Sequence, residues 1–230
     1  MLRIILAGCH GRMGQQVADL CAERSDLLIA AGLDRTGRPA DGFPVFSDPE
    51  DCGAEADVLV DFSRPDALVS LLNFCTRRRL PAVLAVTGYS KEQLAQIRVA
   101  AHVIPIFRAA NLSLGANVLL RLTQLASAVL GPDYDAAITE RHHRNKLDAP
   151  SGTALQLADG IRPAPTGLFS IRAGSTAGEH TVLFAGQDEV LELTHRADSR
   201  RVYAIGAVKA TQFIVRVENP GLYGMEDLLK

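Results

Sequence analysis

The sequence predicts an α/β protein of two domains: a Rossmann-like domain with a parallel sheet, then an α+β domain with a mostly antiparallel sheet. In the first half, short apolar runs alternate with helical stretches of about 10–15 residues, the order that produces βαβ units. A glycine-rich loop follows the first run. After residue 113 the pattern changes to one long helix and then to the alternation typical of antiparallel strands.

The elements of the first half are read from their apolar spacing. Strands are predicted at 3–8, 27–34, 57–63, 81–88 and 103–110, and helices at 13–23, 66–78 and 90–101. Ser90, followed three positions later by Gln93, forms the capping-box start of the last helix. The continuous apolar run "AVLAV" (82–86) fits a strand in a sheet that is covered on both faces.

The second half begins with a helix at 114–131 that ends at Gly131-Pro132. A strand at 136–143 leads into a basic segment, and a helix follows at 151–161. A loop at 163–167 precedes two antiparallel strands at 180–186 and 189–197, and a helical pattern covers 203–217. The domains are therefore expected at 1–112 and 113–204.

Composition narrows the class of protein. The 230 residues are 47% hydrophobic and 22% charged, with a formal net charge of −2, which gives no general attraction to nucleic acid or to an anionic membrane. Four cysteines without C-x-x-C spacing indicate neither a zinc site nor a disulfide framework, so no metal site is expected. No apolar run approaches the roughly 20 residues of a membrane span, and no signal peptide is seen. We expect a cytoplasmic protein.

The loop "LAGCHGRMGQQ" places Gly8, Gly11 and Gly14 between a strand and a helix. Glycines there let the backbone approach a pyrophosphate at the helix N-terminus, although the spacing differs from G-x-G-x-x-G and also fits a plain strand–helix turn. Asp34, twenty residues after Gly14, stands where an acidic residue binds a ribose 2′-hydroxyl. Arg35 beside it could meet the 2′-phosphate of NADP. The sequence predicts a nicotinamide cofactor and leaves NADH and NADPH both open.

The segment "ERHHRNKLDAPSGTA" (140–154) holds five groups that are or can become cationic and then starts a helix. A helix N-terminus with cations beside it binds carboxylates. The alternatives are a solvated basic loop and a phosphate-binding loop for nucleic acid; the near-neutral net charge and the lack of interleaved aromatic residues argue against the latter.

The two features together indicate a reductase of an anionic substrate. A hydride from a reduced nicotinamide must be matched by a proton, and a histidine with a pKa near ~6.5 can supply it close to neutral pH. Two rival interpretations remain. One is a two-domain dehydrogenase acting on an amino acid such as homoserine or aspartate, and the other is a non-catalytic sensor that binds a dinucleotide.

The segment from Glu140 to Ala154 matches E-x-H-H-x-x-K-x-D-A-P-S-G-T-A throughout, the signature of the dihydrodipicolinate reductase family, which the chain strongly resembles. "GCHGRMG", "DFSRP" (61–65), "AANLSLGAN" (109–117), "GEHTVLFAG" (178–186) and "GLYGMEDLL" (221–229) resemble it too. The resemblance implies NAD(P)H-dependent reduction of 4-hydroxy-tetrahydrodipicolinate to tetrahydrodipicolinate, a step of lysine and diaminopimelate biosynthesis. It also implies a homotetramer formed through the sheet of the second domain, with residues 205–230 returning to the first.

The resemblance assigns roles residue by residue. His142 would be the proton donor or acceptor and Lys146 a second proton donor, while His143, Gly152 and Thr153 would bind the substrate carboxylates. Cofactor contacts would come from three groups: Gly8, Cys9, His10, Gly11, Arg12 and Met13 at the pyrophosphate; Asp34 and Arg35 at the ribose; and Ala85, Val86, Thr87, Ala109, Ala110, Asn111 and Leu112 near the nicotinamide.

This chain departs from the family pattern in three places. It has "AVTG" at 85–88 where the family often has G-T-T-G, and Leu112 where the family often has Phe. It is also shorter, and the missing length falls between Ile161 and Glu179. The chemistry implied by the signature is unaffected, because the signature precedes the shortened region.

Overall fold

The computed structural model describes residues 1–230, and the chain divides into two compact units. Unit 1 comprises Met1–Leu112 and Tyr203–Lys230, and unit 2 comprises Ser113–Val202. Unit 2 is thus inserted into unit 1. The carbonyl of Leu112 lies so close to Gly206 that no Cβ would fit there, so the chain re-enters unit 1 beside the point where it left. Each unit has its own sheet and its own apolar core.

The sheet of unit 1 has seven strands, all parallel. In chain order these are β1 (Leu2–Ala7), β2 (Leu27–Leu33), β3 (Val45–Phe46), β4 (Val58–Asp61), β5 (Ala82–Leu84), β6 (Pro105–Arg108) and β11 (Gly221–Tyr223). Their order across the sheet is β3-β2-β1-β4-β5-β6-β11. The order reverses between β1 and β4, the point of a Rossmann-type sheet at which ligands bind. The predicted Rossmann-like class is confirmed.

Helices cover both faces of this sheet. They are α1 (Arg12–Ala22), α2 (Leu68–Arg78), α3 (Lys91–Ala100), α6 (Arg201–Ile214) and α7 (Met225–Leu228). The apolar residues of β1, β4 and β6 pack with Leu71 of α2 and Ile97 of α3 in one core. Toward the other face, Phe107 of β6 meets Phe213 of α6 edge to face, with ring centroids 6.0 Å apart. Coverage of both faces explains the continuous apolar strands.

Unit 2 has a mixed sheet in the order β10-β9-β7-β8. Its strands are β7 (Asp135–His142), β8 (Gly167–Arg172), β9 (Gly178–Ala185) and β10 (Val190–Ala197); β7 and β8 are parallel and the other pairs antiparallel. Buried residues alternate along β7 and β9, and those of the inner face pack under α4 (Leu114–Leu130) and α5 (Gly152–Asp159). The predicted, mostly antiparallel sheet is confirmed.

The structure adds short elements that the sequence pattern did not predict. They are β3, β8, β11 and α7, of which β8 begins at the end of the predicted loop 163–167. β5 is shorter than the predicted strand 81–88, because after Leu84 the chain turns out of the sheet toward Gly88, which has a φ of +82°. Such positive φ values favour glycine.

The segment Leu114–Asp133, which includes α4, is long and apolar enough to cross a membrane by length and composition alone. The expectation that no apolar run approaches a membrane span was therefore wrong for this segment. Mostly buried core helices pass the same test, but only 22% of this window is buried, although α4 contributes Leu119 to the core of unit 2. One such helix is weak support for a membrane span.

Candidate active site

The glycine loop joins β1 to α1 in a tight turn against the end of β4. Gly8 has a φ of +74°, and a Cβ on it would stand 2.7 Å from the backbone carbonyl carbon of Phe62. A Cβ on Gly14 would stand 2.7 Å from the Cα of Cys9. Both distances are shorter than real Cβ contacts, so larger side chains at these positions are excluded. The glycines therefore allow the tight strand–loop–helix packing that a dinucleotide-binding turn requires.

A cavity of about 530 Å³ opens beside this loop within unit 1. Five of the predicted cofactor residues line it: Gly8, His10, Gly11, Asp34 and Arg35. The cavity lies at the carboxyl ends of β1, β2 and β4, next to the reversal of strand order. Its position and its lining fit the adenosine and pyrophosphate portions of a dinucleotide.

Asp34 and Arg35 stand together at the wall of this cavity. The carboxylate of Asp34 accepts hydrogen bonds from the backbone N–H and the hydroxyl of Thr36, both at 3.2 Å. Arg35 is exposed. An acceptor for a ribose hydroxyl and a cation for a 2′-phosphate are therefore both present, which is compatible with either dinucleotide.

The cavity also contains residues that the sequence interpretation did not assign to the cofactor, among them Phe62, Ser63 and Arg64. They belong to the turn after β4, which Asp61 organises by accepting a hydrogen bond of 2.8 Å from the N–H of Ser63. Burial raises the pKa of the Asp61 carboxyl, and the hydrogen bonds from Ser63 oppose that rise. The motif "DFSRP" was the available signal, since it follows a strand adjacent to β1.

The other predicted cofactor residues lie outside the lining of this cavity. Cys9 is buried, which raises the pKa of its thiol to about 11, and Arg12 and Met13 begin α1. Ala85–Thr87 and Ala109–Leu112 follow the adjacent strands β5 and β6. Since the carboxyl ends of parallel strands meet at one edge, these two groups share the edge on which the cavity opens. Their contact with nicotinamide stays a prediction.

The basic segment of unit 2 forms a turn between β7 and α5. The N–H of His143 donates to the carbonyl of Thr176 at 2.8 Å, and the N–H of Lys146 donates to the carbonyl of His143 at 3.1 Å. The Lys146 ammonium lies 2.8 Å from a carboxylate oxygen of Asp148 and is 23% exposed. Lys146 is therefore held in the turn and still reachable from solvent.

The helix α5 starts where this turn ends. Ser151 is its N-cap, and the Ser151 hydroxyl accepts a hydrogen bond of 3.2 Å from the N–H of Ala154. Gly152 and Thr153 are the first helical residues. The positive end of the helix dipole and the cation of Lys146 thus belong to one short segment, which is the combination that favours a carboxylate ligand.

His142 is the buried end of β7. Its Nδ1 makes a close hydrogen bond with Glu140. Burial lowers the pKa of His142, the carboxylate of Glu140 opposes this, and the positive charges of Lys146 and Arg172 lower it further. The net effect lowers the pKa of His142, and the Glu140 carboxylate counteracts the loss of the charged form, so the protonation of this imidazole is set by charged groups at the site, as is typical of a group that transfers protons.

Three side chains here could also hold a metal ion, because ligand atoms of Glu140, His142 and His180 lie within 4.8 Å of one another. The guanidinium of Arg172, however, lies 2.7 Å from the Glu140 carboxylate and already supplies the positive charge. A second cation would be repelled by it. The arrangement favours proton transfer over metal binding.

Comparison with known proteins covers the whole chain. Residues 2–112 match the family "Dihydrodipicolinate reductase, N-terminus", and residues 115–229 match "Dihydrodipicolinate reductase, C-terminus". A 4-hydroxy-tetrahydrodipicolinate reductase of Caldanaerobacter subterraneus subsp. tengcongensis is 43% identical, over 100% of this chain and 99% of that protein. The corresponding protein of Bordetella pertussis is 37% identical, over 99% and 97%.

Among solved structures, a dipicolinate-bound dihydrodipicolinate reductase from Paenisporosarcina sp. matches with a TM-score of 0.85 and 25% identity, covering 99% of each chain. A diaminopimelate dehydrogenase of Corynebacterium glutamicum shares the fold, with a TM-score of 0.60 at 13% identity. The family matches of both halves of the chain, the signature segment and the full-length relatives all indicate the same family. The chain belongs to the dihydrodipicolinate reductase family.

Proposed function

We propose that this protein is an NAD(P)H-dependent oxidoreductase that reduces 4-hydroxy-tetrahydrodipicolinate to tetrahydrodipicolinate, a step in lysine and diaminopimelate biosynthesis. The observation that carries the proposal is the segment Glu140–Ala154, in which a buried histidine, a lysine and a helix N-terminus follow one another in a chain of this family. The rival functions, an amino-acid dehydrogenase and a dinucleotide sensor, give no reason for that segment.

The cofactor is assigned to unit 1. Gly8, Cys9, His10, Gly11, Arg12 and Met13 bind the pyrophosphate, Asp34 and Arg35 the adenosine ribose, and Ala85–Thr87 and Ala109–Leu112 the nicotinamide side. The cavity beside Gly8 and the two excluded Cβ positions support the first two groups. When bound, the reduced nicotinamide supplies the hydride.

The substrate is assigned to unit 2. His143, Lys146 and the first turn of α5, at Gly152 and Thr153, bind its carboxylates, with charge-assisted hydrogen bonds from the side chains. Support comes from the geometry of the turn and from the relative that was solved with dipicolinate, a cyclic dicarboxylate.

The overall reaction replaces the ring hydroxyl by hydrogen. The C–O bond breaks, a C–H bond forms with the hydride, and one proton is taken up as the hydroxyl leaves as water. His142 supplies that proton. Lys146 is the second candidate donor for the same proton and also neutralises a carboxylate of the substrate.

The test is an assay in which the cyclic substrate is generated enzymatically and the loss of NADPH is followed. His142→Gln and Lys146→Ala should each lower turnover by roughly 10²–10⁴-fold. The exposed His102→Asn serves as the control. Full turnover in the first two variants would favour the sensor, and turnover with homoserine or aspartate but not with the cyclic substrate would favour the other dehydrogenase.

We also propose a cytoplasmic homotetramer assembled through the sheet of unit 2. α4 and α5 cover one face of that sheet, and the other face exposes Phe169 (59%) and Ile171 (44%). Exposed apolar residues on a sheet face favour burial against another copy. Sedimentation should report four copies, and Phe169→Glu should reduce that number; a monomeric wild type would contradict the assembly.

A further inference from the structure

Glu140 is fully buried, with 0% of its side chain exposed, two residues before His142 on the same face of β7. A buried carboxylate is unfavourable unless it is paired and hydrogen-bonded. Glu140 has no role in the function proposed above. The side chains and backbone groups that pair with Glu140 indicate a role for it.

The first partner is Arg172, the last residue of β8. Its guanidinium lies 2.7 Å from one carboxylate oxygen of Glu140 and is itself only 16% exposed. Because β7 and β8 are parallel and His142 is paired in register with Arg172, the two strands bring these side chains together. Burial alone would raise the pKa of Glu140, but the hydrogen bonds from Arg172, Ser170 and His142 outweigh it and lower that pKa to about 2.

The second partner is His142, which meets the other carboxylate oxygen through Nδ1. Since Glu140 is ionised and only accepts hydrogen bonds, Nδ1 must carry the proton in this contact. In the neutral imidazole, Nε2 is then the unprotonated nitrogen. In the imidazolium, Nε2 carries the proton that can be given away.

Glu140 also contacts the start of α5. The N–H of Ser151 donates to Glu140 at 3.3 Å, and the Ser151 hydroxyl lies 3.2 Å from Nε2 of His180. His180 stands opposite Glu140 across the β7–β9 pair, and its ring meets that of His142 at 5.2 Å between centroids. One carboxylate therefore connects the imidazole to the N-cap of the helix that is proposed to hold the substrate.

We infer that Glu140, held by Arg172, is a positioning residue for the reaction: it fixes the tautomer and the orientation of His142 so that Nε2 faces the substrate, and it keeps α5 in register with it. This inference rests on the proposed function, because it assumes that His142 transfers the proton. A carboxylate that orients a histidine in this way raises the share of imidazolium at neutral pH.

The test replaces Glu140 by Gln, which keeps the shape of the side chain but removes its charge. Turnover at pH 7 should fall by roughly 10²-fold, the lower end of what acid–base catalysis contributes. KM for the cyclic substrate should change little, because the amide oxygen of Gln can still accept from the N–H of Ser151 and hold α5 in place. The limb of the kcat/KM profile that reports His142 should move to lower pH by about one unit. With ¹⁵N-labelled histidine, NMR should show less Nδ1 protonation at His142, whose signals are assigned by their loss in His142→Gln.

The matched control is Asp57→Asn. Asp57 also pairs with an arginine, Arg3, at 2.9 Å, but in unit 1 and outside the lining of the cavity. This variant should keep turnover, pH profile and histidine tautomers. If Glu140→Gln does not fold because Arg172 is left unpaired, the double variant Glu140→Gln with Arg172→Met removes both charges, and the same loss of turnover is expected.

The outcomes separate the two proposals. Unchanged turnover in His142→Gln would overturn the proton-transfer role, whatever Glu140→Gln does. Low turnover in His142→Gln together with an unchanged profile and unchanged tautomers in the folded Glu140 variants would overturn only the positioning role. A stoichiometric zinc content lost in Glu140→Gln would also overturn it, in favour of a metal site.

Discussion

The ammonium of Lys146 lies 2.8 Å from the carboxylate of Asp148, two residues further along the same turn. A substrate carboxylate must therefore share Lys146 with a group of its own charge. Lys146→Ala should weaken the binding of dipicolinate by more than tenfold, because it removes a cation and leaves Asp148 unpaired. The double variant Lys146→Ala with Asp148→Asn should bind dipicolinate about two- to fivefold more tightly than Lys146→Ala alone, since a repulsive charge is removed. Calorimetric titration would measure both, and no recovery in the double variant would contradict this account.

The closeness of Gly14 to the start of the glycine loop gives a second prediction. Gly14→Ala should abolish NADPH binding or destabilise unit 1 by about 1–3 kcal/mol, because its Cβ would stand 2.7 Å from the Cα of Cys9. Gly53→Ala is the control, since a Cβ there meets nothing within 4 Å. Urea denaturation and the rise in melting temperature with NADPH would show the difference. Normal NADPH binding together with unchanged stability of Gly14→Ala would contradict the close packing.

The cofactor preference should be modest. With Asp34 and Arg35 both lining the cavity, wild-type kcat/KM values for NADH and NADPH should differ by less than ~10³-fold. Arg35→Ala should lower kcat/KM for NADPH by about tenfold or more, because the 2′-phosphate loses a cation, and leave that for NADH nearly unchanged. An equal loss with both cofactors would show that Arg35 does not meet the phosphate.

His180 should make the stability of the protein depend on pH. Burial, followed by the charge of His142, lowers the pKa of His180 to about 4. In the unfolded chain the pKa is near ~6.5, so the unfolded state takes up the proton first as pH falls. Above pH ~6.5 the neutral His180 makes its full contribution to the free energy of unfolding. As the pH falls from ~6.5 to ~4 that contribution, about 3 kcal/mol at most, is lost.

The measurement is urea denaturation of the wild type and His180→Asn at pH 7 and pH 4. Because other groups also titrate, the difference between the two proteins isolates this histidine. The wild type should lose more free energy of unfolding than the variant over that interval. The exposed His102→Asn should behave as the wild type does. Parallel losses in all three proteins would show that His180 keeps an ordinary pKa.

Local signals in the sequence predicted the principal elements well. Ser90 and Gln93 do form both halves of a capping box at the start of α3, and Gly131, with a φ of +66°, does end α4. These features depend on residues three or four positions apart, so a single sequence contains them. The Rossmann-like class followed in the same way from strand and helix order.

The short strands and the contacts between side chains distant in sequence could not be predicted from such local signals. β8 has six residues with little burial, and it is a strand because it pairs with β7. The cluster of Glu140, Arg172 and His180 depends on the register of three strands, which brings together residues 32 and 40 positions apart. The signature contained Glu140 but gave no physical reason for it. The roles of the site residues remain predictions for the assays above.

The adjoining positions of Leu112 and Gly206 have a consequence for protein engineering. A segment whose two ends meet can be cut out and bridged by a short linker, or exchanged for the same segment of a homologue, without pulling the flanking elements apart. Residues 113–202 are such a cassette. A chimera with unit 2 of a homologue would therefore change the substrate specificity and leave the nucleotide-binding unit unaltered. Natural recombination could exchange unit 2 in the same way.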